Sequence, residues 1–274
     1  MTTLLASARA APRFATPLGF LRMFSGFKVL LPFAALVAFW WVVKIAAGIA
    51  DDVLVSPAAA FAAFWRLVTT GVLAEYAGAS LRMIGACALF SVAVGVPIGF
   101  AVGVNRYAAR SFEGFLRFLQ GVSGIAWLPL VIIWLGLSYK TTLAVVIYTL
   151  MVPIVFNTMI GVRTIPENYV LALRSLGASR LRLATDVYLP GALPSIVVGL
   201  RLGMGYGWRA LIAAEMLVHS GGLGDLIFSA RTFNQIDRII VGMIVIGCLY
   251  IIVDRLIVQP IENLTVARWG VLRK

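Results

Sequence analysis

Few side chains in this sequence are suited to acid–base, nucleophilic or metal chemistry. The 274 residues contain one histidine, His219, and two cysteines, Cys87 and Cys248, which both lie inside apolar runs. A zinc site needs several such groups close together, and two separated cysteines do not form a disulfide framework. The sequence has no Gly-x-Ser-x-Gly motif and no phosphate-binding G-x-x-x-x-G-K-[ST] loop. We therefore expect no catalytic residue and no metal site, and any ATP must be bound by another protein.

Arg209 has the most unusual position of the charged residues. It lies about midway along the apolar run from Ser195 to Val218, where an unpaired cation is costly and usually faces a cavity or a partner. One interpretation is that Arg209 lines the path of an anionic substrate. The residues that would line this path with it are Met204, Tyr206 and Trp208. The alternative is a structural ion pair with Glu215 or another helix, although Glu215 lies about 240° further round the same helix.

The composition indicates what kind of protein holds these residues. Hydrophobic residues make up 61% of the chain and charged residues 12%, and the mean hydropathy is +0.98. A soluble domain has about 25% charged residues. Because a spanning helix uses about 20 residues, the apolar content is enough for about six spans. These figures predict an all-α polytopic membrane protein and exclude a soluble enzyme and a single membrane anchor.

Six apolar segments are predicted to be the transmembrane helices. They are Val29–Ala50, Leu81–Val104, Val122–Leu137, Leu143–Val162, Ser195–Val218 and Ile239–Val258. The third is short and contains Pro129. Residues 1–28 are expected to be a cytoplasmic tail, and residues 51–80 an outer segment with an amphipathic helix near 57–74. Residues 81–260 then form the core, with a cytoplasmic loop at 163–190, and a second cytoplasmic tail follows at 261–274.

The net charge of +12 has a simple explanation in a polytopic protein. With the N-terminus inside, the inner segments carry fourteen basic and four acidic side chains, whereas the outer segments carry five of each. Basic residues accumulate in cytoplasmic loops. The asymmetry therefore predicts that both termini are cytoplasmic, and it removes nucleic acid as a partner.

Two stripes of glycine recur at intervals of four residues. Gly95, Gly99 and Gly103 form the first stripe on the second span, and Gly199, Gly203 and Gly207 form the other on the fifth. Such stripes let two helix backbones approach closely. We predict that both are packing surfaces, and either a neighbouring helix or a second subunit could lie against them.

The loop between the fourth and fifth spans combines leucines with charges. From Leu171 to Pro190 it reads LALRSLGASRLRLATDVYLP, which is too apolar for a solvated loop and too charged to enter lipid. Gly177 separates two short helical patterns, and Pro190 ends the second. A helix–glycine–helix hairpin with exposed leucines is typical of a surface that docks another protein. The alternative is a hairpin packed on its own helix ends.

This loop resembles the conserved cytoplasmic loop of the permeases of binding-protein-dependent ABC importers. The family pattern is E-A-A, three residues, G, nine residues, I, one residue, L-P. The residues that match it are Ala172, Gly177, Val187, Leu189 and Pro190. Leu171 and Leu173 depart from the pattern, because they replace the usual glutamate and the second alanine. The likeness extends from about Leu54 to Trp269 and is strongest to the nitrate, sulfonate and taurine branch.

The resemblance implies a fold and a set of partners. The fold is that of a type I ABC importer permease in the bacterial inner membrane, and the substrate is a small anion of the sulfonate, taurine or nitrate class. Two permease subunits would pair, each docked on an ABC ATPase subunit that binds ATP and Mg²⁺, with a periplasmic or lipid-anchored solute-binding protein outside. The residues that would contact the ATPase or flank the contact are Leu171, Ala172, Leu173, Arg174, Gly177, Arg180, Leu189 and Pro190.

Two other classes of protein compete with this interpretation. A self-contained secondary transporter or channel would need ionisable residues or broken helices at mid-membrane, and Arg209 alone is a weak sign of them. An intramembrane serine enzyme would depend on His219, which lies at the end of a span. The outer loop from His219 to Arg238 is polar and rich in glycine, so it is a candidate surface for the solute-binding protein, or else a plain solvated loop.

Overall fold

A computed structural model of the chain describes residues 18–266, with side chains over residues 31–263 and at Thr265. Within residues 18–266 the secondary structure is entirely helical, as expected for an all-α protein. The described residues fall into two units, one ending at Pro57 and the other beginning at Ala58. The predicted tails lie partly outside the described range, which omits residues 1–17 and 267–274.

The first unit contains helix α1, Leu18–Ala46. It begins inside the predicted tail and ends four residues before the predicted Ala50. Lys44 in its last turn donates to the Ile49 carbonyl oxygen at 3.3 Å and pairs with the Asp51 carboxylate at 2.5 Å. These contacts fix the turn after the helix and end it earlier than the apolar pattern alone would.

The remaining helices follow in chain order. They are α2 Pro57–Thr69, α3 Val72–Val104, α4 Arg106–Gly121, α5 Leu128–Leu135, α6 Tyr139–Arg163, α7 Glu167–Ser175, α8 Arg180–Leu183, α9 Leu189–Val218, α10 Leu223–Thr232, α11 Ile236–Val253 and α12 Gln259–Val266. A π turn at Ala184–Tyr188 joins α8 to α9, and another at Asp254–Val258 joins α11 to α12. Helix α12 continues into the predicted C-terminal tail.

Four of these stretches are long and apolar enough to cross a membrane. They are Val72–Val104, Tyr139–Arg163, Arg180–Val218 and Ile236–Asn263. A helix is suited to this because it bonds its own backbone groups where no water is available. Helix α3 begins nine residues before the predicted Leu81, because Leu73 packs with Ala63 and Leu67 of α2. One side of its first turns therefore packs on α2, whereas Glu75 is exposed.

The predicted third span, Val122–Leu137, contains the helical stretch Gly124–Leu135, which is shorter than a span and follows a sharp break. Val122 and Ser123 are extended, and the axes of Arg106–Gly121 and Gly124–Leu135 differ by 82°. A Cβ at Gly124 would lie 1.8 Å from Thr149 Oγ1, so the break is pressed against α6. Pro129, in the first turn of α5, lacks an N–H donor and so fits a new helix start rather than a helix interior.

Helix α6 is the centre of the bundle, and both glycine stripes lie against it. A Cβ at Gly99 would lie 2.5 Å from the Val155 carbonyl oxygen, and one at Gly203 would lie 2.9 Å from that of Leu150. The structure therefore places the stripes against a neighbouring helix of the same chain. Small residues are needed there because the backbones nearly touch.

The contacts along α6 also give the helix directions. Gly95 faces Ile154 and Gly103 faces Val162, so α3 runs parallel to α6. Gly199 faces Pro153 and Gly207 faces Leu150, so α9 runs antiparallel. Since α3 and α6 are parallel, the chain between them must return to the end of the bundle where α6 begins, and the bent pair α4–α5 makes that return.

One end of the second unit therefore gathers the basic segments. We call it the basic face: the ends of α3, α6 and α12, the starts of α4 and α9, and the loop 163–190. Arg201 of α9 pairs with Asp254 at 3.8 Å and also with Glu262. The other end, which we call the opposite face, carries α10 and His219.

Candidate functional site

The first candidate site is the coupling hairpin, which we define as Glu167–Leu183. Gly177, between α7 and α8, has a φ of +77°, a conformation that other L-residues adopt only with strain. The Ala178 N–H donates to the Leu173 carbonyl oxygen at 3.0 Å, which closes the end of α7 as in a Schellman motif. Ser179 then caps α8 by accepting from the Arg182 N–H at 3.3 Å. The glycine pattern in the sequence thus corresponds to a sharp, fully bonded reversal.

The hairpin is anchored on one side and exposed on the other. Val170 and Leu183 are buried, whereas Leu171, Leu176 and Leu181 are 52%, 84% and 75% exposed. Large apolar side chains this exposed on a polar face mark a surface for a partner. Of the predicted contact residues, Ala172, Arg174, Gly177 and Arg180 are exposed as well. Leu189 and Pro190 lie apart from the hairpin surface, in the first turn of α9.

The second candidate site is a cavity of about 590 Å³ in the second unit. Its walls come from α6 and α9, and its end is the break between α4 and α5. The lining residues that carry polar groups are Gln120, Ser123, Tyr148, Thr149, Asn157, Tyr206 and Arg209. Among the described residues that line it, Arg209 is the single charged side chain. The broken helix therefore creates a recess with one positive charge and several hydrogen-bonding groups.

The surroundings of Arg209 show whether it forms a structural ion pair within this chain or faces a cavity. Its guanidinium lies 5.9 Å from the centroid of the Tyr206 ring, a cation–π distance. Among the described residues no carboxylate pairs with it. The alternative of an ion pair with Glu215 is therefore not what the structure contains.

Met204 and Trp208 lie on a different face of α9 from Arg209. Both are buried in a core cluster with Met83, Ile84 and Leu150. The structure thus places these two residues in the packing of the bundle and not in the lining of the cavity. Tyr206 lines it together with Arg209.

The buried cluster around Glu215 was not predicted from the sequence. Glu215 is 2% exposed, and its carboxylate accepts from Ser80 Oγ at 2.8 Å and from the Gly224 N–H at 3.0 Å. The Leu223 N–H donates in turn to Ser80 Oγ at 2.9 Å. A Cβ at Gly222 would lie 2.0 Å from Glu215 Oε1. The glycines of the outer loop therefore fold over Glu215, and the spacing of Gly222 and Gly224 was the available signal.

Comparison with known proteins agrees with this geometry. Residues 95–258 match the family of binding-protein-dependent transport system inner membrane components. The chain belongs to this family. It is therefore a multi-pass permease subunit of an ABC importer and not an enzyme, and the family works with ATPase and solute-binding partners.

The relatives of this permease are named for several different substrates. The putative aliphatic sulfonates transport permease protein SsuC of Escherichia coli is 34% identical over 248 residues, 86% of this chain and 89% of that one. The taurine transport system permease protein TauC of Escherichia coli is 32% identical over 180 residues, 66% of each chain. The bicarbonate transport system permease protein CmpB of Synechococcus elongatus is 36% identical over 172 residues, 61% of this chain and 62% of that one.

A solved structure shares the fold of the permease. The MetNI methionine ABC transporter, in an inward-facing conformation, superposes with a TM-score of 0.52 and 18% identity, covering 70% of this chain and 97% of that chain. At this identity the likeness concerns the fold alone. It supports the type I importer architecture expected from the coupling hairpin.

Proposed function

We propose that this permease carries a small anion of the sulfonate, taurine or nitrate class, and that Arg209 is the cation that receives it. The observation that supports this is the cavity beside the α4–α5 break, where Arg209 has no carboxylate partner among the described residues. A cation in a low-dielectric recess attracts an anion far more strongly than in water. The names of the relatives given above, which include sulfonates, taurine and bicarbonate, are consistent with an oxyanion.

The second part of the proposal concerns the coupling hairpin and its contact with an ATPase. Leu171, Leu176 and Leu181 form an exposed apolar surface, which we assign to contact with an ABC ATPase subunit. ATP and Mg²⁺ bind on that partner, and the hairpin transmits its movement to α6 and α9, which continue directly from the hairpin. Such a rigid element shifts the population between two arrangements of the helices.

The proposal also includes the second permease copy, the membrane and the solute-binding protein. Two copies of this chain pair in the bacterial inner membrane, with membrane lipid around them and both termini in the cytoplasm. Helix α1 then provides a sixth crossing. A periplasmic or lipid-anchored solute-binding protein docks on the opposite face, where Arg231, Phe233 and Asn234 are exposed.

The test of the substrate class is the substitution Arg209→Gln in the complete complex of permease, ATPase and binding protein. Uptake of labelled taurine, an alkanesulfonate and nitrate is measured in proteoliposomes, with Arg209→Lys and Arg255→Gln as comparison variants. We expect Arg209→Gln to reduce uptake of the transported anion by about tenfold or more, since one charge pair across a desolvated site is worth at least ~1.5 kcal/mol. Arg209→Lys should retain part of the uptake.

Two results would overturn the assignment of Arg209. One is full anion uptake by Arg209→Gln, and the other is an equal loss in Arg255→Gln, whose side chain lies outside the cavity. Binding of the ATPase is measured in parallel. If Arg209→Gln no longer binds the ATPase, the loss of uptake would reflect misfolding and not the cavity, and Arg209→Lys then becomes the decisive variant.

A further inference from the structure

A second cavity, separate from the Arg209 cavity, lies on the basic face behind the coupling hairpin. It has a volume of about 380 Å³ and is bounded by the start of α4, the end of α6 and the inner side of α7. Its charged lining residues are Arg106, Arg110, Arg163, Glu167 and Arg174. Four arginines and one glutamate line this small space, so its lining carries a net positive charge.

The ion pairs around this cavity do not use all four arginines. Arg106 pairs with Glu167 at 2.8 Å, and Arg163 pairs with Glu113 at 2.6 Å. Arg110 and Arg174 have no carboxylate partner among the described residues. Two guanidinium groups from different helices thus face one pocket without a counter-charge. Arginine is well suited to the planar, bidentate contacts that phosphate oxygens make.

The exposed phenylalanines of α4 lie away from the pocket. Phe112, Phe115 and Phe118 are 48%, 53% and 64% exposed, but helical geometry puts them on the side of α4 opposite to Arg106 and Arg110. The pocket itself is a basic recess between helices on the face that the charge distribution assigns to the cytoplasm, and such recesses bind the headgroups of anionic phospholipids. The headgroup would occupy the pocket.

We propose that this pocket binds a phosphate-type oxyanion through Arg110 and Arg174, with the headgroup of an anionic phospholipid as its source. The bound phosphate bridges α4 to α7 and so holds the coupling hairpin against the end of α6. Zwitterionic lipids carry a compensating positive charge and bind this excess of positive charge more weakly. The inference does not depend on which solute the permease carries.

The experiment counts bound lipid on the purified complex of the permease with its ATPase. Intact-complex mass spectrometry measures retained phosphatidylglycerol after reconstitution in nanodiscs of phosphatidylcholine with added phosphatidylglycerol. The double variant Arg110→Gln with Arg174→Gln should bind phosphatidylglycerol on the order of 30-fold more weakly, from about 1 kcal/mol per basic residue. The double variant Arg110→Lys with Arg174→Lys should retain most of it.

The matched control is Arg182→Gln with Arg255→Gln, which removes the same charge from residues that do not line the pocket. Phosphatidylglycerol binding by this control should equal that of the wild type. In a second arm, inorganic phosphate is titrated into lipid-depleted complex. A response of the wild type to phosphate alone, lost in Arg110→Gln with Arg174→Gln, would keep the oxyanion site but replace the lipid by a soluble anion.

Two outcomes overturn the proposal. The first is equal binding of both ligands by the wild type and the Gln double variant. The second is loss of the ATPase from the Gln double variant with lipid binding unchanged, which would assign the two arginines to the protein partner. Neither outcome depends on transport, so a failure here is distinguishable from a failure of the Arg209 assignment.

Discussion

Among single residues, Glu215 is a buried side chain whose hydrogen-bond partners come from distant parts of the sequence. Ser80 comes from α3 and Gly224 from α10, so the carboxylate ties three helices together. Replacement by Ala leaves the Ser80 hydroxyl and the Gly224 N–H without this acceptor and opens a cavity. Each unsatisfied buried group costs about 1–3 kcal/mol. We expect Glu215→Ala to lower the apparent Tm of the purified permease by roughly 5–10 °C, measured by thermal unfolding in detergent.

The control for this prediction is Glu75→Ala on α3, where the carboxylate is exposed. Its loss removes only a favourable charge near the helix start, worth about 0.5 kcal/mol. A Tm for Glu215→Ala within about 1 °C of that control would show that the buried cluster contributes little.

Helix packing gives a prediction at the scale of the element. A Cβ at Gly99 would lie 2.5 Å from the Val155 carbonyl oxygen and 2.7 Å from Thr158 Cβ, so Gly99→Ala must push α3 and α6 apart. Overpacking of this kind typically costs about 1–3 kcal/mol. The matched change Gly85→Ala is on the same helix and meets nothing within 4 Å. It should leave stability unchanged or raise it by up to ~1 kcal/mol.

Comparing the Tm of these two variants checks whether the glycine stripe matters because of contact or only because of helix propensity. Both substitutions improve the intrinsic helix propensity by the same amount. Equal shifts in Tm for Gly99→Ala and Gly85→Ala would contradict the close approach of α3 to α6.

The coupling hairpin gives a second prediction at this scale. Gly177 needs a φ of +77°, whereas proline is fixed near −65° and also removes the N–H that bonds the Arg174 carbonyl oxygen. Gly177→Pro should disfavour the correct hairpin by roughly 3 kcal/mol or more. We expect tagged Gly177→Pro permease to lose most of the ATPase subunit that co-purifies with the wild type.

Gly177→Asn is the companion variant, because asparagine adopts the left-handed conformation more readily than other residues. It should keep the ATPase bound. Since nothing lies within 4 Å of the position where a Cβ would be, a loss of the ATPase in Gly177→Asn would point to the side chain itself and not to the backbone turn.

At the scale of the whole molecule, the topology depends on which helix ends lie on the same face. The parallel packing of α3 and α6 and the antiparallel packing of α9 put Ser179 and Asn234 on opposite faces. In a background without Cys87 and Cys248, we expect Asn234→Cys to react with an impermeant thiol reagent in cells whose outer membrane alone is permeabilised. Ser179→Cys should react only after the inner membrane is opened.

Labelling of both cysteines from the same side would contradict the alternation of the helices. The reverse result is that Ser179→Cys reacts from outside and Asn234→Cys reacts only after the inner membrane is opened. It would contradict the positive-inside orientation and leave the helix packing intact. The experiment therefore separates the orientation of the permease from its fold.

The sequence by itself determined the features that depend on neighbouring residues. The long apolar runs of α3, α6, α9 and α11 follow from composition and from the need to bond the backbone internally in lipid. The hairpin at Gly177 and the glycine stripes also follow from local spacing. The family follows from the same hairpin motif, because its residues form one continuous stretch of chain.

The tertiary structure decided the features that depend on residues far apart in the chain. The break between α4 and α5 was missed because it is stabilised by the contact of Gly124 with Thr149 on another helix. The same holds for Glu215, whose partner Ser80 is 135 residues away. The tertiary structure also places Arg209 in the cavity lining and Met204 and Trp208 in the packed core. The neighbours of α9 determine which of its faces is packed and which lines the cavity. Helical periodicity places residues on a face, but only packing determines what that face meets.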